Sequence, residues 1–392
     1  MSRAKSSAIP VFLAFLAMGF GDAAGSLVGP VREQFHLSNF AAQLVPFVGM
    51  LMFGVLSVPM GVWQDAKGKK FILMLGLAIM LGGLVIPSFA GFSTFPVFLV
   101  TMLLLGAGAT TLQVAGNPIM RDVSPEGKYS RNLSLGQFVK AIGSLSGPLI
   151  PVVAARWFGL GWSVIFPVYS VAVLLALLAA ATLKSGDTKV PGQKPTTFGA
   201  SLALLGNGYV ALMVLALFLY VGAEVSVSSG IPLYLKERFQ VDINRIGLLG
   251  TGLFFAALTI GRFSGGVILN YVRPQRFFVV TSLISLAGLL GLFAPSQTVA
   301  VASFLVIGLG FANIFPLIFS MVIDRLPQHA NALSGLMVMA IVGGAIVPPL
   351  TGLVADTFHS VEASFLVPVA AIVYIGWSAL VNLKQPAPVR NN

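Results

Sequence analysis

The sequence predicts an all-α membrane protein whose twelve transmembrane helices form two six-helix bundles. Three observations carry that prediction. Of the 392 residues, 57% are hydrophobic and only 9% are charged, whereas a soluble domain of ordinary composition carries about 25% charged residues. So few charges cannot coat a water-facing surface of this size, and lipid must be the solvent for most of the chain. The apolar residues also fall into runs of about 20, the length a helix needs to cross a hydrocarbon core of roughly 30 Å. Finally, one long polar segment divides these runs into two sets that echo each other.

The first span, about 8–30, follows Ser2-Arg3-Ala4-Lys5, a start that imitates a signal peptide. The apolar run continues past Ala24 to about Val31, so it is read as a retained span. Spans 2 to 6 follow at about 42–62, 71–91, 95–118, 132–153 and 161–183. The polar stretch 184–206, with Gly186, Pro191, Gly192 and Pro195, is the linker. Spans 7 to 12 lie at about 207–232, 243–269, 277–293, 299–322, 331–354 and 363–382. The expected domains are therefore an N-terminal bundle, 1–183, the linker, 184–206, and a C-terminal bundle, 207–392. Glycine is abundant, and Gly343-Gly344 followed by Pro348-Pro349 marks span 11 for close packing or a bend.

Lys and Arg set the orientation, because cytoplasmic loops are enriched in them. The tails and even-numbered connections hold Lys67, Lys69, Lys70, Arg121, Lys128, Arg131 and most other basic residues. The opposite side holds only Arg32, Arg156, Lys236, Arg238 and Arg245. Both termini are thus expected in the cytoplasm, with the chain crossing the inner membrane many times. The net charge of +11 is distributed between apolar runs and forms no patch, which argues against a nucleic-acid partner. There is no cysteine, and His36, His329 and His359 are scattered, so no metal site or cofactor is expected. No nucleotide loop or catalytic triad suggests an enzyme.

The halves repeat a local pattern. Gly61-Val62-Trp63-Gln64-Asp65 follows span 2, and Gly266-Val267-Ile268-Leu269-Asn270 follows span 8, the matching position. Parallel repeats of this kind place a ligand site between halves near the bilayer midplane.

Charges within spans cost at least about 2.5–3.5 kcal/mol each on insertion scales, so they call for a functional reading. Four stand out: Asp22 in span 1, Lys140 in span 5, Glu224 in span 7 and Arg262 in span 8. Asp22 is flanked by Gly21, Ala23, Ala24 and Gly25, and its carboxyl is a candidate proton carrier. The alternative is a carboxyl satisfied by a structural partner. Asp22 is the only acidic residue inside the first-half spans, so Asp22 and Lys140 are expected to pair. Tyr220, Glu224 and Ser228 recur every four residues, forming a polar stripe for substrate hydroxyls, a cation or helix packing. Arg262, near the cytoplasmic end of its span, is assigned to structure or gating. Gln113 and Asn117 share a face of span 4, Gln137 and Lys140 share one of span 5, and Asn313 lies in span 10. Amides pair a donor with an acceptor, which suits sugar hydroxyls; helix–helix hydrogen bonding is the other use. Phe47, Phe315 and Tyr234 are candidates to stack on a sugar.

The loop Gly61-Val62-Trp63-Gln64-Asp65-Ala66-Lys67-Gly68-Lys69-Lys70 resembles the signature of the major facilitator superfamily. The resemblance implies a major facilitator fold and puts a gating latch on Asp65 and Lys69. A plain positive-inside loop is the other reading. Phe35-His36-Leu37-Ser38-Asn39-Phe40, Leu112-Gln113-Val114-Ala115-Gly116-Asn117-Pro118 and Asn132-Leu133-Ser134-Leu135-Gly136-Gln137-Phe138 resemble segments of the fucose–galactose–glucose:proton symporter family. So do Tyr220-Val221-Gly222-Ala223-Glu224, Gly261-Arg262-Phe263 and Asn313-Ile314-Phe315-Pro316. This implies import of a small sugar, coupled to protons, by a monomeric secondary transporter in the lipid bilayer that works by alternating access. Asp22 matches that family's proton-linked aspartate. Gln113 falls where fucose carriers have a glutamate, and Lys140 where they have a sugar-site asparagine. Lys140 is a departure from that family's pattern. Taken with the pairing read from the residues, Asp22 and Lys140 are the expected coupling residues. Gln113, Asn117, Gln137, Lys140, Glu224 and Asn313 are the expected substrate residues, and Asp65, Lys69 and Arg262 the expected gate. A drug or metabolite exporter on the same scaffold, an importer of an anionic sugar held by Lys140, and a non-transporting sensor are the competing readings.

Overall fold

The structure, a computed structural model, describes residues 8–22, 27–37, 41, 44–90, 94–183, 197–241 and 251–383. All regular structure among these residues is helical. In chain order the helices are α1 (Ile9–Asp22), α2 (Val28–Gln34), α3 (Leu44–Lys67), α4 (Lys69–Ala90), α5 (Phe95–Val123), α6 (Tyr129–Phe158), α7 (Ile165–Ala181) and α8 (Phe198–Ala203). They continue with α9 (Gly208–Phe239), α10 (Thr251–Ile268), α11 (Pro274–Gly291), α12 (Gln297–Phe311), α13 (Ile314–Arg325), α14 (Ala330–Met339), α15 (Gly343–Phe358) and α16 (Leu366–Leu383). Among the described residues eleven helical stretches are long and apolar enough to cross a membrane, and α1 is a shorter apolar helix.

Most expected spans match one helix, and the differences have local causes. Span 10 is two helices, broken at Ala312 and Asn313. Span 11 is α14 and α15 joined by a 3₁₀ turn, Ala340–Val342, just before Gly343-Gly344. Helix α9 runs past the expected end at 232 to Phe239, where Gln240 adopts a left-handed φ of 53° that ends it. Its start is capped by the Asn207 side chain, which accepts from the backbone N–H groups of Tyr209 and Val210. Of the expected linker, 184–196 lies outside the described residues, as do Ser38, Asn39, Phe40 and Arg245; 197–206 contains α8 and a 3₁₀ turn.

The chain forms two compact units. The first comprises Met1–Glu126, Val139–Ala203 and His329–Met339. The second comprises Gly127–Phe138, Leu204–Gln328 and Ala340–Asn392. Residues 127–138 and 329–339 therefore cluster with the unit built mainly from the other half of the sequence.

In the first unit α5 is the central element, buried without interruption from Leu105 to Met120. It packs on α1, α3, α4 and α14. The run Gly106-Ala107-Gly108-Ala109 explains how one helix serves so many neighbours, because small residues let backbones approach closely. Gly106 lies against Gly49 of α3, Gly108 against Gly76 and Met80 of α4, and Gly116 against Met18 of α1. In the second unit α13 is buried from Ile314 to Ile323 and packs on α9 and α11. Helix α9 meets α15 through Gly222, which receives Val347, and the start of α15 at Gly343 abuts the Phe218 backbone.

Candidate functional site

Helix α1 presents Phe15, Met18 and Gly19 to its neighbours and ends at Asp22. Two glycines bring it onto α6: a Cβ on Gly19 would collide with the Lys140 carbonyl, and one on Gly143 with the Leu16 carbonyl. Asp22 lies one turn beyond Gly19, and Lys140 one turn before Gly143. The two side chains meet as the sequence expects, with Lys140 Nζ 3.0 Å from Asp22 Oδ2. The Ser144 hydroxyl, one turn beyond Lys140, stands 3.1 Å from the same carboxylate oxygen. The Asp22 side chain keeps 40% of its exposure while Lys140 keeps 12%, so the carboxylate is the accessible member of the pair. Close by, Phe20 stacks on Tyr169 with ring centroids 3.8 Å apart, and the Tyr169 hydroxyl is 2.8 Å from Ser146 Oγ.

The amides of α5 lie near the same helix. Gln113 falls between Ala109, which touches Gly21, and Gly116, which touches Met18. It is 1% exposed, and neither side-chain polar atom has a hydrogen-bond partner among the described residues. Leaving a buried polar group unmet costs about 1–3 kcal/mol, so this amide is set for a group the protein does not itself supply. Asn117, one turn on, is fully buried. Gln137, on the part of α6 in the second unit, is 3% exposed and its Nε2 has no partner among the described residues.

In the second unit Glu224 of α9 and Arg262 of α10 are brought together, Oε1 to Nη2, at 3.5 Å. The sequence treated these residues separately. Arg245, near the start of span 8, is the other charge inside the second-half spans, so elimination leaves Glu224 with two possible partners, and the structure brings it to Arg262. Asn313 has a different environment from the other amides. Its Nδ2 donates to the Gly261 carbonyl at 2.8 Å and its side chain fills the notch at Gly265, while its buried Oδ1 has no partner among the described residues. It braces the break between α12 and α13 against α10. Tyr234 is likewise committed to packing: it is fully buried and donates to the Leu292 carbonyl at 2.5 Å. Phe315 is buried and stacks on Phe319, while Phe47 is exposed.

The signature loop is tied at several points. Asp65 Oδ1 accepts from Asn331 Nδ2 at 2.6 Å, and Gln64 Nε2 donates to Asn331 Oδ1 at 2.8 Å. Lys69 pairs with Asp122 at 2.6 Å. Lys70 donates to the Ala181 and Leu183 carbonyls, capping the end of α7. Gly68, between α3 and α4, has a φ of 92°, a conformation that favours glycine. The matching position in the second unit repeats the theme. Asn270 Oδ1 accepts from Lys128 at 3.3 Å and Arg131 at 3.4 Å, and Leu135 packs on Gly266. The partners Asn331 and Asp122 carry no spacing signal in the sequence.

Long apolar helices packed through glycine, paired charges inside spans and a repeated tied loop define a polytopic membrane carrier. The chain belongs to the Major Facilitator Superfamily, whose description matches residues 11–341 and again 213–392. The glucose/galactose transporter of Brucella abortus is 27% identical over 388 residues, covering 95% of this chain and 93% of that one. The L-fucose-proton symporter of Escherichia coli is 27% identical, covering 89% of this chain and 87% of that one. A crystal structure of the E. coli fucose:proton symporter superposes with a TM-score of 0.83 at 22% identity, covering 96% of this chain and 98% of that chain. The fold is thus that of the major facilitator transporters, an architecture of transport rather than enzymatic catalysis.

Proposed function

We propose that the chain is a secondary active transporter that imports a small sugar, a hexose or a close relative, together with protons. It works by alternating access as a monomer in the inner membrane, with both termini in the cytoplasm. Its two bundles, 1–183 and 207–392, joined by the linker at 184–206, are the parts that move in that cycle. The observation that carries this reading is the Asp22–Lys140 pair at 3.0 Å beside the buried, unmet amide of Gln113. A half-exposed carboxylate held by an internal ammonium can accept a proton only when that bond is given up, which makes proton entry and the local arrangement of α1 and α6 one event. Gln113, Asn117, Gln137 and Glu224 supply the hydrogen bonds a polyhydroxylated solute needs. The names of the relatives, a glucose/galactose transporter and an L-fucose-proton symporter, point to the same substrate class. Rocking requires the loop ties to release, so Asp65 with Asn331, and Asn270 with Lys128 and Arg131, form the gate, and Lys69 with Asp122 steadies it. The test is accumulation of labelled glucose and galactose in proteoliposomes, with and without a proton gradient. Accumulation above equilibrium only with the gradient is expected. Facilitated equilibration alone would remove the coupling, and gradient-driven extrusion would favour an exporter.

A further inference from the structure

Helix α9 carries two Tyr–Arg–Glu groupings, and they differ in one respect. Toward its C-terminal end, Tyr234, Arg238 and Glu362 are satisfied. The Tyr234 hydroxyl bonds the Leu292 carbonyl, Arg238 Nη1 bonds Glu362, and Arg238 Nη2 reaches the Phe293 and Ala294 carbonyls at 3.3 and 3.1 Å. In the middle of the helix, Tyr220, Glu224 and Arg262 are not. The Tyr220 side chain is fully buried and its hydroxyl interacts with both charged groups, yet none of these contacts closes to full hydrogen-bond geometry among the described residues. Arg262 touches Glu224 through one long contact of 3.5 Å, and its buried Nε has no partner among the described residues. Buried tyrosine hydroxyls are ordinarily bonded, and Arg–carboxylate pairs are commonly bidentate and close to 2.8 Å. The same helix shows that this chain builds such groupings tightly when they serve packing alone.

We propose that Tyr220, Glu224 and Arg262 form a subsite that grips adjacent hydroxyls of a neutral sugar; this deepens, and rests on, the sugar-import reading above. One ligand hydroxyl can donate to the Glu224 carboxylate while accepting from Arg262 Nε. A neighbouring hydroxyl meets the Tyr220 O–H. The side chains of Glu224 and Arg262 keep 18% and 11% of their exposure, so the grouping is open at one side. Its charges cancel, as do those of Asp22 and Lys140, so an acidic sugar finds no uncompensated cation at either pair. This assigns Arg262 a specificity role in place of the gating role expected from its position near the end of a span.

The experiment measures binding of radiolabelled D-glucose and D-galactose to purified full-length protein, competed by singly deoxygenated hexoses and by D-glucuronate. Tyr220→Phe removes one oxygen and keeps the ring that packs against Phe311. It is expected to weaken hexose binding about tenfold, in line with loss of one hydrogen bond near charged groups. One deoxy sugar should bind wild type and Tyr220→Phe equally, because it already lacks the hydroxyl in question. A second variant, Glu224→Gln with Arg262→Gln, removes both charges together and so leaves no lone buried ion. It should elute as a monodisperse species and lose hexose binding at least tenfold. Wild-type affinity in either variant, or equal weakening of every deoxy sugar, overturns the subsite alone. D-glucuronate binding as tightly as D-glucose overturns the preference for a neutral ligand. A wild-type chain that binds no hexose overturns the subsite and the sugar-import reading together.

Discussion

At the scale of single residues, the membrane interior enforces pairing. Lys140 and Asp22 sit on different helices, yet an isolated ammonium in hydrocarbon is costly enough that a partner could be inferred from the sequence by elimination. The structure places them 3.0 Å apart with Ser144 beside them. If Asp22 carries the coupling proton, Asp22→Asn should abolish gradient-driven accumulation of glucose while counterflow exchange persists. Full uphill transport by this variant would remove Asp22 from the coupling mechanism. Gln113 offers a sharper separation of binding from folding. Its amide makes no hydrogen bond among the described residues, so Gln113→Ala gives up no such bond. The variant should bind sugar more weakly by about 1–3 kcal/mol while its unfolding temperature without sugar stays close to wild type. A large drop in that temperature with unchanged affinity would make Gln113 a packing residue. Asn313 shows the limit of reading amides from sequence. An asparagine in a span signals a polar requirement, but only the neighbouring helix decides whether a ligand or a backbone meets it. Here the Gly261 carbonyl meets the Nδ2 donor, while the buried Oδ1 has no partner among the described residues.

At the scale of elements, apolar run length made the spans legible, because the bilayer dictates it. The same criterion hid their interruptions. Span 10 breaks at Ala312 and Asn313, where the sequence shows only a polar residue, and span 11 passes through a 3₁₀ turn at Ala340–Val342, directly before the Gly343-Gly344 that marked it for close packing or a bend. Glu224 and Arg262 were individually conspicuous, but their meeting depends on how α9 and α10 face each other, which no run length records. Asp122 and Asn331 were less legible still, since polar residues at the ends of spans are ordinary and only contact reveals that they hold Lys69 and Asp65. Glycines are the elements' registration marks, and they are testable. Gly143→Ala drives a methyl group into the Leu16 carbonyl at the contact that aligns Asp22 with Lys140. Forced overpacking of this kind costs about 1–3 kcal/mol, and the variant should unfold at a lower temperature in detergent. Gly82→Ala on α4 is the control, since nothing lies within 4 Å of its added methyl. It should be neutral or stabilising by up to about 1 kcal/mol through helix preference. Equal behaviour of the two variants would mean that the α1–α6 contact tolerates separation.

At the scale of the whole molecule, the paired charges make a statement about voltage. Among the described residues each unit pairs an acid with a base inside its spans: Asp22 with Lys140 in the first, Glu224 with Arg262 in the second. With both pairs intact neither contributes net charge to the empty carrier. A proton on Asp22 leaves Lys140 positive, so under the proposed mechanism the loaded carrier moves one positive charge. A charge crossing the full membrane potential gains about 2.3 kcal/mol per 100 mV, enough to alter the rate of whichever step carries it. The loaded step should therefore be the voltage-sensitive one, and an inside-negative potential should favour its inward direction. Lys140→Gln reverses the assignment: the loaded centre becomes neutral and the empty centre negative. An inside-negative potential then drives the empty carrier outward instead. The two cases separate under equilibrium exchange, with glucose saturating and pH equal on both sides, because only the loaded carrier then crosses. Exchange by the wild type in proteoliposomes should change when a potassium diffusion potential is imposed, and exchange by Lys140→Gln should not. Net uptake into sugar-free vesicles should respond to the potential in both. Voltage-independent exchange in the wild type would mean that the loaded carrier bears no extra charge at this pair, so that no net proton travels there with the sugar.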